Sequence, residues 1–307
     1  MNGFESIANV DGVITPTSDA RVPVMDRGFL YGDSIYEVFR TYGGIPLFYD
    51  EHWTRFENSA ELIHMELELT KDHMRDEIFR TIRATNASKC GRDVYVRYTV
   101  TRGEGPVDLF PSPELVTRYV IIVKGLNDWN PEFYRVGVCL AIPETRRNSV
   151  SALDPNIKGG NYLNNVLGVI QARELGADDC VMLNDSGLVT EASNSNVFFV
   201  IDGVLVTPGE SAGHLRGLTK AAIKTACIAR DLDVVSRDIS LDDLANTTEC
   251  FITSATREVM PALSLRLPDG KILSYPEGGG AVTRRVMEYY KGFIDTYFAG
   301  NAHLSMF

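Results

Sequence analysis

The chain has 307 residues, 44% of them hydrophobic and 23% charged, the composition of a folded protein of one large domain or two ordinary ones. Its formal net charge is −11, from 30 Lys and Arg against 41 Asp and Glu, which argues against nucleic acid or anionic membrane as the main partner. The five cysteines (Cys90, Cys139, Cys180, Cys227, Cys250) show neither CxxC nor metal-ligand spacing, so no metal site is expected and the thiols read as reduced.

The opening "MNGFESIANVDGVITP" has no basic stretch followed by an apolar run. No segment approaches the ~18 apolar residues of a membrane helix, and the chain is expected to be cytoplasmic. "IANVDGVITP" carries an Asp-Gly turn between short strand-like runs, a hairpin signal. "IYEVFRTY" (35–42) and "IPLF", separated by two glycines, predict another strand pair. Trp53, Phe56, Ala60 and Ile63 recur at helical spacing, as do Met74, Ile78 and Ile82. "DVYVRYTVT" (93–101) alternates, with Val94, Val96, Tyr98 and Val100 on one face and Tyr95, Arg97 and Thr99 on the other.

"RYVIIV" (118–123) reads as a buried strand, and "KGLNDWNPEF" (124–133) breaks both periodicities. A smaller N-terminal α/β domain is therefore expected over 1–123, a linker over 124–135 and a larger C-terminal domain over 136–307. In the linker, Trp129 is either a lid or a buried anchor. Beyond it come the strand "VGVCLAI" and a helix from about Asn161 to Leu175, stopped by Gly176. Two hairpins follow, "CVMLNDSGLVTE" and "VFFVIDGVLVTP", turning on Asp-Ser-Gly and Asp-Gly. A helix near 219–231, a strand over 249–255 and a long helix ending near Tyr297 complete a mixed α/β (α+β) chain.

The segment "IKGGNYLNNV" (157–166) holds the candidate chemistry. Alone, Lys158 would read as a solvated strand-end charge. A buried lysine, however, is nucleophilic toward aldehydes near neutral pH. An aldehyde cofactor such as pyridoxal phosphate then asks for a carboxylate at its ring nitrogen, a donor to its phenolic oxygen and an anion site for its phosphate. Glu191, at the end of "LVTE", supplies a carboxylate, and Tyr162 a donor. The amides of Leu218 and Thr219, where a helix opens, and the strand exit Ser254-Ala255-Thr256 are anion-site candidates. Arg55 could reach a phosphate with its planar fork.

These segments resemble the class IV (fold-type IV) pyridoxal-phosphate aminotransferases. The signature stands here as Glu191, Asn196-Val197-Phe198, Leu205-Val206-Thr207 and Leu215-Arg216-Gly217-Leu218-Thr219-Lys220. The similarity runs from "MDRGFLYGDSIYEVFR" to "ITSATREV". The resemblance implies a small α/β domain followed by a larger pseudo-barrel domain, a homodimer, and pyridoxal 5'-phosphate as cofactor. It implies Lys158 as the catalytic, Schiff-base lysine, Glu191 at the ring nitrogen and Tyr162 at the phenolic oxygen. Arg55, Leu218, Thr219 and Thr256 would hold the phosphate, and Leu215 would pack on the ring. The implied reaction is ping-pong transamination, in which Lys158 removes the α-proton and returns it.

For the substrate, the family's branched-chain enzymes place aromatics and arginines where this chain has Tyr31, Tyr36, Arg40, Tyr95 and Arg97. Tyrosines give an apolar wall with a polar edge, and arginine pairs a carboxylate bidentately. The expected activity is thus transamination of branched-chain L-amino acids with 2-oxoglutarate and glutamate. Departures keep alternatives open. Val38 replaces the glycine of the branched-chain "E-G-I-R" pattern and resembles the D-amino acid enzymes, yet their Arg-x-His pair is absent from "TRGEGPVDLFP" (101–111). Tyr31-Gly32-Asp33 stands where (R)-amine transaminases carry "HSD", and is compatible with aminodeoxychorismate lyase. A non-catalytic pyridoxal-phosphate binder is the reading from another class; "KGGNY" lacks nucleotide-loop spacing.

Overall fold

A computed structural model describes residues 4–126 and 129–306 and divides the chain into two compact units. The first comprises Met1–Asn127, Ile157–Asn161 and Phe298–Phe307; the second comprises Asp128–Asn156 and Tyr162–Tyr297.

The first unit contains β1 (Ile7–Val10), β2 (Val13–Pro16), α1 (Arg27–Tyr31), β3 (Ser34–Tyr42), β4 (Ile45–Pro46), α2 (Tyr49–Leu62), α3 (Lys71–Ala84), α4 (Ala87–Cys90), β5 (Val94–Thr101) and β6 (Arg118–Gly125). Its strands form one antiparallel sheet in the order β2-β1-β6-β5-β3-β4. At the β1–β2 turn Asp11 and Gly12 take φ of 48° and 86°, the paired positive values that a two-residue hairpin of right-handed twist requires. The apolar faces of α2 and α3 cover one side of the sheet. Trp53, Phe56, Met74, Ile78 and Ile82 pack there against Phe39, Val96, Tyr98 and Val100. Each such fully buried side chain is worth roughly 1.5–3 kcal/mol, so both helices are held mainly by this face. The sheet's other face is the one bearing the alternate residues of β3 and β5.

The second unit contains α5 (Glu132–Arg135), β7 (Val138–Ala141), α6 (Leu163–Glu174), β8 (Asp179–Leu183), β9 (Val189–Ala192), β10 (Asn196–Ile201), β11 (Val204–Pro208), α7 (Leu218–Ile228), β12 (Val234–Arg237), α8 (Leu241–Leu244), β13 (Thr247–Ser254), β14 (Glu258–Arg266), β15 (Ile272–Ser274) and most of α9 (Ala281–Gly300). The strands follow the path β12-β11-β10-β13-β14-β7-β8-β9, with β15 on β14. The Val189 amide donates to the Ile239 carbonyl (2.9 Å), just beyond β12, so the two ends of the path meet and the sheet curls toward the expected pseudo-barrel. Inside lies an apolar core of residues such as Leu140, Val181, Val197, Phe199, Ile252 and Leu265. Buried Glu249 accepts from the Val282 and Thr283 amides (3.1 and 2.7 Å) and so satisfies orphan donors at the start of α9.

Of the expected linker over 124–135, Asn127 and Asp128 lie outside the described residues. The flanking residues include the end of β6 and the four-residue helix α5, where Pro131 precedes the first turn. Trp129 is an anchor: its indole N–H donates to the Thr256 carbonyl (3.0 Å) and the Arg257 guanidinium lies 4.5 Å over its ring. Among the described residues no helix is long and apolar enough to cross a membrane.

Candidate active site

In the first unit, β3 and β5 pair in the register Tyr36↔Thr99, Val38↔Arg97 and Arg40↔Tyr95. Alternation therefore puts all six of these side chains on one face, opposite the helices. Segment 157–161 docks on the start of β3. The Tyr36 amide donates to the Lys158 carbonyl (2.9 Å) and the Gly160 amide to the Ser34 carbonyl (2.9 Å). The two glycines suit this approach: a Cβ on Gly160 would sit 2.4 Å from Ser34 Oγ and displace that hydroxyl, and one on Gly159 would crowd Ser34 O at 3.2 Å.

Lys158 is half-buried, and its amide donates to Ser59 Oγ (3.2 Å), which itself donates to the Arg55 carbonyl (3.0 Å) on α2. Its Nζ donates to the Tyr36 hydroxyl (3.3 Å) and lies 4.4 Å from that ring's centroid. The Arg97 guanidinium is 3.6 Å over the same ring. Beside it, burial pushes the Tyr95 hydroxyl up, against the opposing pull of Arg97. Lys158, Tyr36, Arg97 and Tyr95 thus form one group. Arg40, opposite Tyr95, stacks on Tyr42 (3.8 Å). Tyr31 ends α1 with the Arg27 guanidinium 4.9 Å over its ring.

Arg55 reaches the other side of β3. Its Nε and Nη2 donate to Glu37 Oε1 and Oε2 (2.6 and 2.7 Å), and His52 Nδ1 lies 2.7 Å from Glu37 Oε2. Glu37 and His52 are buried. Burial lowers His52, and its Nε2 has no hydrogen-bond partner among the described residues, which suits the neutral Nδ1–H form donating to Glu37. Sequence reasoning missed Glu37, His52 and Ser59. A charged residue inside the "IYEVFRTY" strand, on the face of Ile35 and Phe39, was the available signal.

In the second unit, Glu191 is buried in β9. Oε1 accepts from Arg147 Nε (2.9 Å) and Oε2 from the Leu215 amide (3.2 Å). Arg147 was also missed; nothing in "AIPETRRNSV" separates it from Arg146 next to it. The Leu215 carbonyl accepts from Asn196 Nδ2 (3.0 Å), so the asparagine of the signature holds the residue whose own amide touches Glu191. A Cβ on Gly217 would lie 1.7 Å from Asn196 Oδ1, which is why a glycine stands here.

Gly217 is the N-cap of α7 and offers no side chain to the first turn, so the amides at Leu218 and Thr219 open the helix uncapped, with Thr219 buried. Half-buried Ser254, Ala255 and Thr256 make the turn from β13 to β14, where Ser254 Oγ accepts from the Arg257 amide (3.3 Å) and Thr256 O from Trp129. Half-buried Tyr162 is the N-cap residue of α6.

The residues fit the cofactor that the sequence points to. Among the described residues each oxygen of Glu191 has one protein donor, and a carboxylate oxygen accepts two, so a ring N–H can be added without displacing either. An uncapped helix start suits a phosphate. An amine, a carboxylate with fixed donors and a helix-start anion site are the requirements of a pyridoxal-phosphate enzyme.

Comparison with known proteins gives the same answer. The family described as amino-transferase class IV matches residues 34–265. The chain is 33% identical to a putative branched-chain-amino-acid aminotransferase of Methanocaldococcus jannaschii over 92% of this chain and 94% of that protein. It is 30% identical to a D-alanine aminotransferase of Bacillus licheniformis, covering 88% and 90%. The solved T.th. branched-chain amino acid aminotransferase with pyridoxamine 5'-phosphate superposes with a TM-score of 0.82 at 25% identity, covering 94% and 93%. The chain belongs to the class IV aminotransferases. It is an aminotransferase that uses pyridoxal 5'-phosphate, and the non-catalytic reading falls.

Proposed function

We propose that this enzyme transaminates branched-chain L-amino acids, with 2-oxoglutarate and glutamate as the second pair. The observation that carries the reading is the Tyr36–Arg97 stack beside Lys158 Nζ. Arginine held over an aromatic ring offers a fork to a carboxylate, and Tyr36 and Tyr95 supply walls for an aliphatic side chain. Relatives named as branched-chain enzymes support it.

In this reading Lys158 holds the cofactor and is the catalytic base. The cofactor, when bound, is an electron sink for the substrate's α-carbon. Lys158 Nζ takes the α-proton and later returns one, base and then acid. Glu191 accepts from the ring nitrogen's N–H, with Arg147 and the Leu215 amide fixing its two oxygens. Tyr162 donates to the phenolic oxygen. Arg55, the Leu218 and Thr219 amides and the turn of Ser254, Ala255 and Thr256 hold the phosphate, while Leu215 packs on the ring. Tyr31, Tyr36, Arg40, Tyr95 and Arg97 contact the substrate.

A second reading, D-amino acid transamination, is favoured by half-exposed Val38 on the substrate face and by the D-alanine aminotransferase relative. Steady-state rates with L-leucine, D-alanine and (R)-1-phenylethylamine, each with 2-oxoglutarate, should put L-leucine at least tenfold ahead in kcat/KM. A good rate on either of the others without L-leucine turnover overturns the assignment.

We also propose that two copies associate. The outer face of α6 exposes Leu163 (70%), Val166, Leu167 and Ile170, and the first unit exposes Phe29 (72%) and Phe110 (78%). Apolar groups so exposed mark an interaction surface. Light scattering at micromolar concentration should give twice the mass of one chain, and Leu167→Glu should lower it; a monomer in the unsubstituted protein would reject the dimer.

A further inference from the structure

Two titratable side chains buried in the second unit have no part in the reaction as derived so far. Lys220 Nζ donates to the Pro208 carbonyl (2.7 Å) and lies 3.0 Å from His214 Nε2. His214 Nδ1 is 2.9 Å from the Leu215 carbonyl, the same oxygen that takes Asn196 Nδ2 at 3.0 Å. Both residues are buried, at 7% and 4% exposure. Burial lowers the lysine to about 8, so it is mostly an ammonium donor at neutral pH.

Hydrogen-bond direction along this chain follows from donor chemistry. A lysine ammonium has only donors, so His214 Nε2 accepts and its Nδ1–H donates to Leu215 O. His214 Nε2 also lies 3.0 Å from the Pro208 carbonyl, so both ring nitrogens face a carbonyl and it is the ammonium, bonded to Pro208 O and Nε2 together, that makes Nε2 the accepting nitrogen. Lys220 therefore selects the tautomer, the tautomer holds the carbonyl of Leu215, and the amide of the same residue, one peptide earlier, donates to Glu191 Oε2 (3.2 Å). Partners behind a functional group govern how well it is oriented.

We propose that Lys220 and His214 are positioning residues that hold Leu215 by its carbonyl, keep its amide on Glu191 and so set how firmly that carboxylate grips the cofactor's ring nitrogen. The inference rests on the proposed role of Glu191. A purely structural lysine would be replaceable by an apolar side chain of similar length without effect on Glu191.

The test compares Lys220→Met and Lys220→Arg with the unsubstituted full-length protein. In cofactor-free protein labelled with ¹⁵N-histidine, His214 should show a protonated Nδ1 and an accepting Nε2. Lys220→Met should shift the Nε2 resonance, weaken pyridoxal phosphate binding about tenfold, as loss of one buried charge-assisted hydrogen bond implies, and move the visible band of the bound cofactor. Lys220→Arg keeps a donor and should restore all three to near the unsubstituted values. Unsubstituted affinity and band position in Lys220→Met, or an Nε2–H tautomer in the parent protein, would overturn the proposal. The resonance is read without cofactor, so it remains decisive even if pyridoxal phosphate were found off Lys158, a result that would count against the proposed site instead.

Discussion

Lys158→Ala is expected to lower kcat by about 10³-fold or more while the protein still takes up pyridoxal phosphate, only weakly. The argument is one of placement. Segment 157–161 is fixed through its backbone, with the Lys158 carbonyl bound by the Tyr36 amide and its own amide by Ser59 Oγ. The amine therefore stands at a set place above the Tyr36 ring, and removing it deletes both the covalent anchor and the base. Alanine at this position keeps every backbone bond, so the loss would be one of chemistry rather than of fold.

Lys124 is a second ammonium against the Tyr95 side of this face, 4.9 Å from that ring. It gives the measurement a built-in control. Borohydride reduction followed by peptide mass mapping should place the adduct on Lys158 in the unsubstituted enzyme. An adduct on Lys124, or substantial residual transamination in Lys158→Ala, would sink the assignment.

Much of this arrangement was legible in the sequence because its periodicities are local. The alternation in "DVYVRYTVT" set Tyr95 and Arg97 apart from Val94, Val96, Tyr98 and Val100, and the structure buries those four completely. The Asp-Gly at 202–203 marked a hairpin, and both residues take positive φ, 50° and 80°. Element ends were less visible. The helix expected near 219–231 runs Leu218–Ile228, and α1 went unread because five residues carry too few turns for a period.

Polar partners from distant segments were the illegible part. Glu191 was readable as a carboxylate, but Arg147, which binds it, precedes it by 44 residues and has no pattern of its own. Ser59 looked like one more small residue on α2, yet it receives the Lys158 amide from 99 residues away. Hydrogen bonds of this kind depend on the strand register and helix docking that the completed fold supplies. The glycines after Lys158 were informative in the other direction, since they allow close approach to the backbone, and Ser34 is what approaches, whereas the demand that Asn196 makes on Gly217 appears only in the fold.

Glu37→Gln is expected to cost about 3–5 kcal/mol of stability at pH 7, the range for breaking a buried ion pair by removing one partner. Burial pushes this carboxyl up, but the Arg55 charge first, and then His52, outweigh it and hold it well below its ordinary value of 4.5. The sign follows from that direction. A carboxyl whose folded pKa lies below its unfolded one contributes fully above about pH 4.5 and loses the contribution as pH falls toward the folded value. Urea unfolding of the parent should therefore weaken steadily below pH 4.5, while the glutamine variant, having no proton to gain at this position, should be less stable at pH 7 and flatter in acid. Glutamine also cannot accept the Arg55 fork through two oxygens, so the guanidinium loses the partner that orients it on Nε and Nη2. Affinity for pyridoxal phosphate should then fall further than affinity for pyridoxal, which lacks the group Arg55 is proposed to hold. Equal losses for the two would leave Glu37 a stabilising residue only, and an unfolding midpoint matching the parent at pH 7 would dismiss even that role.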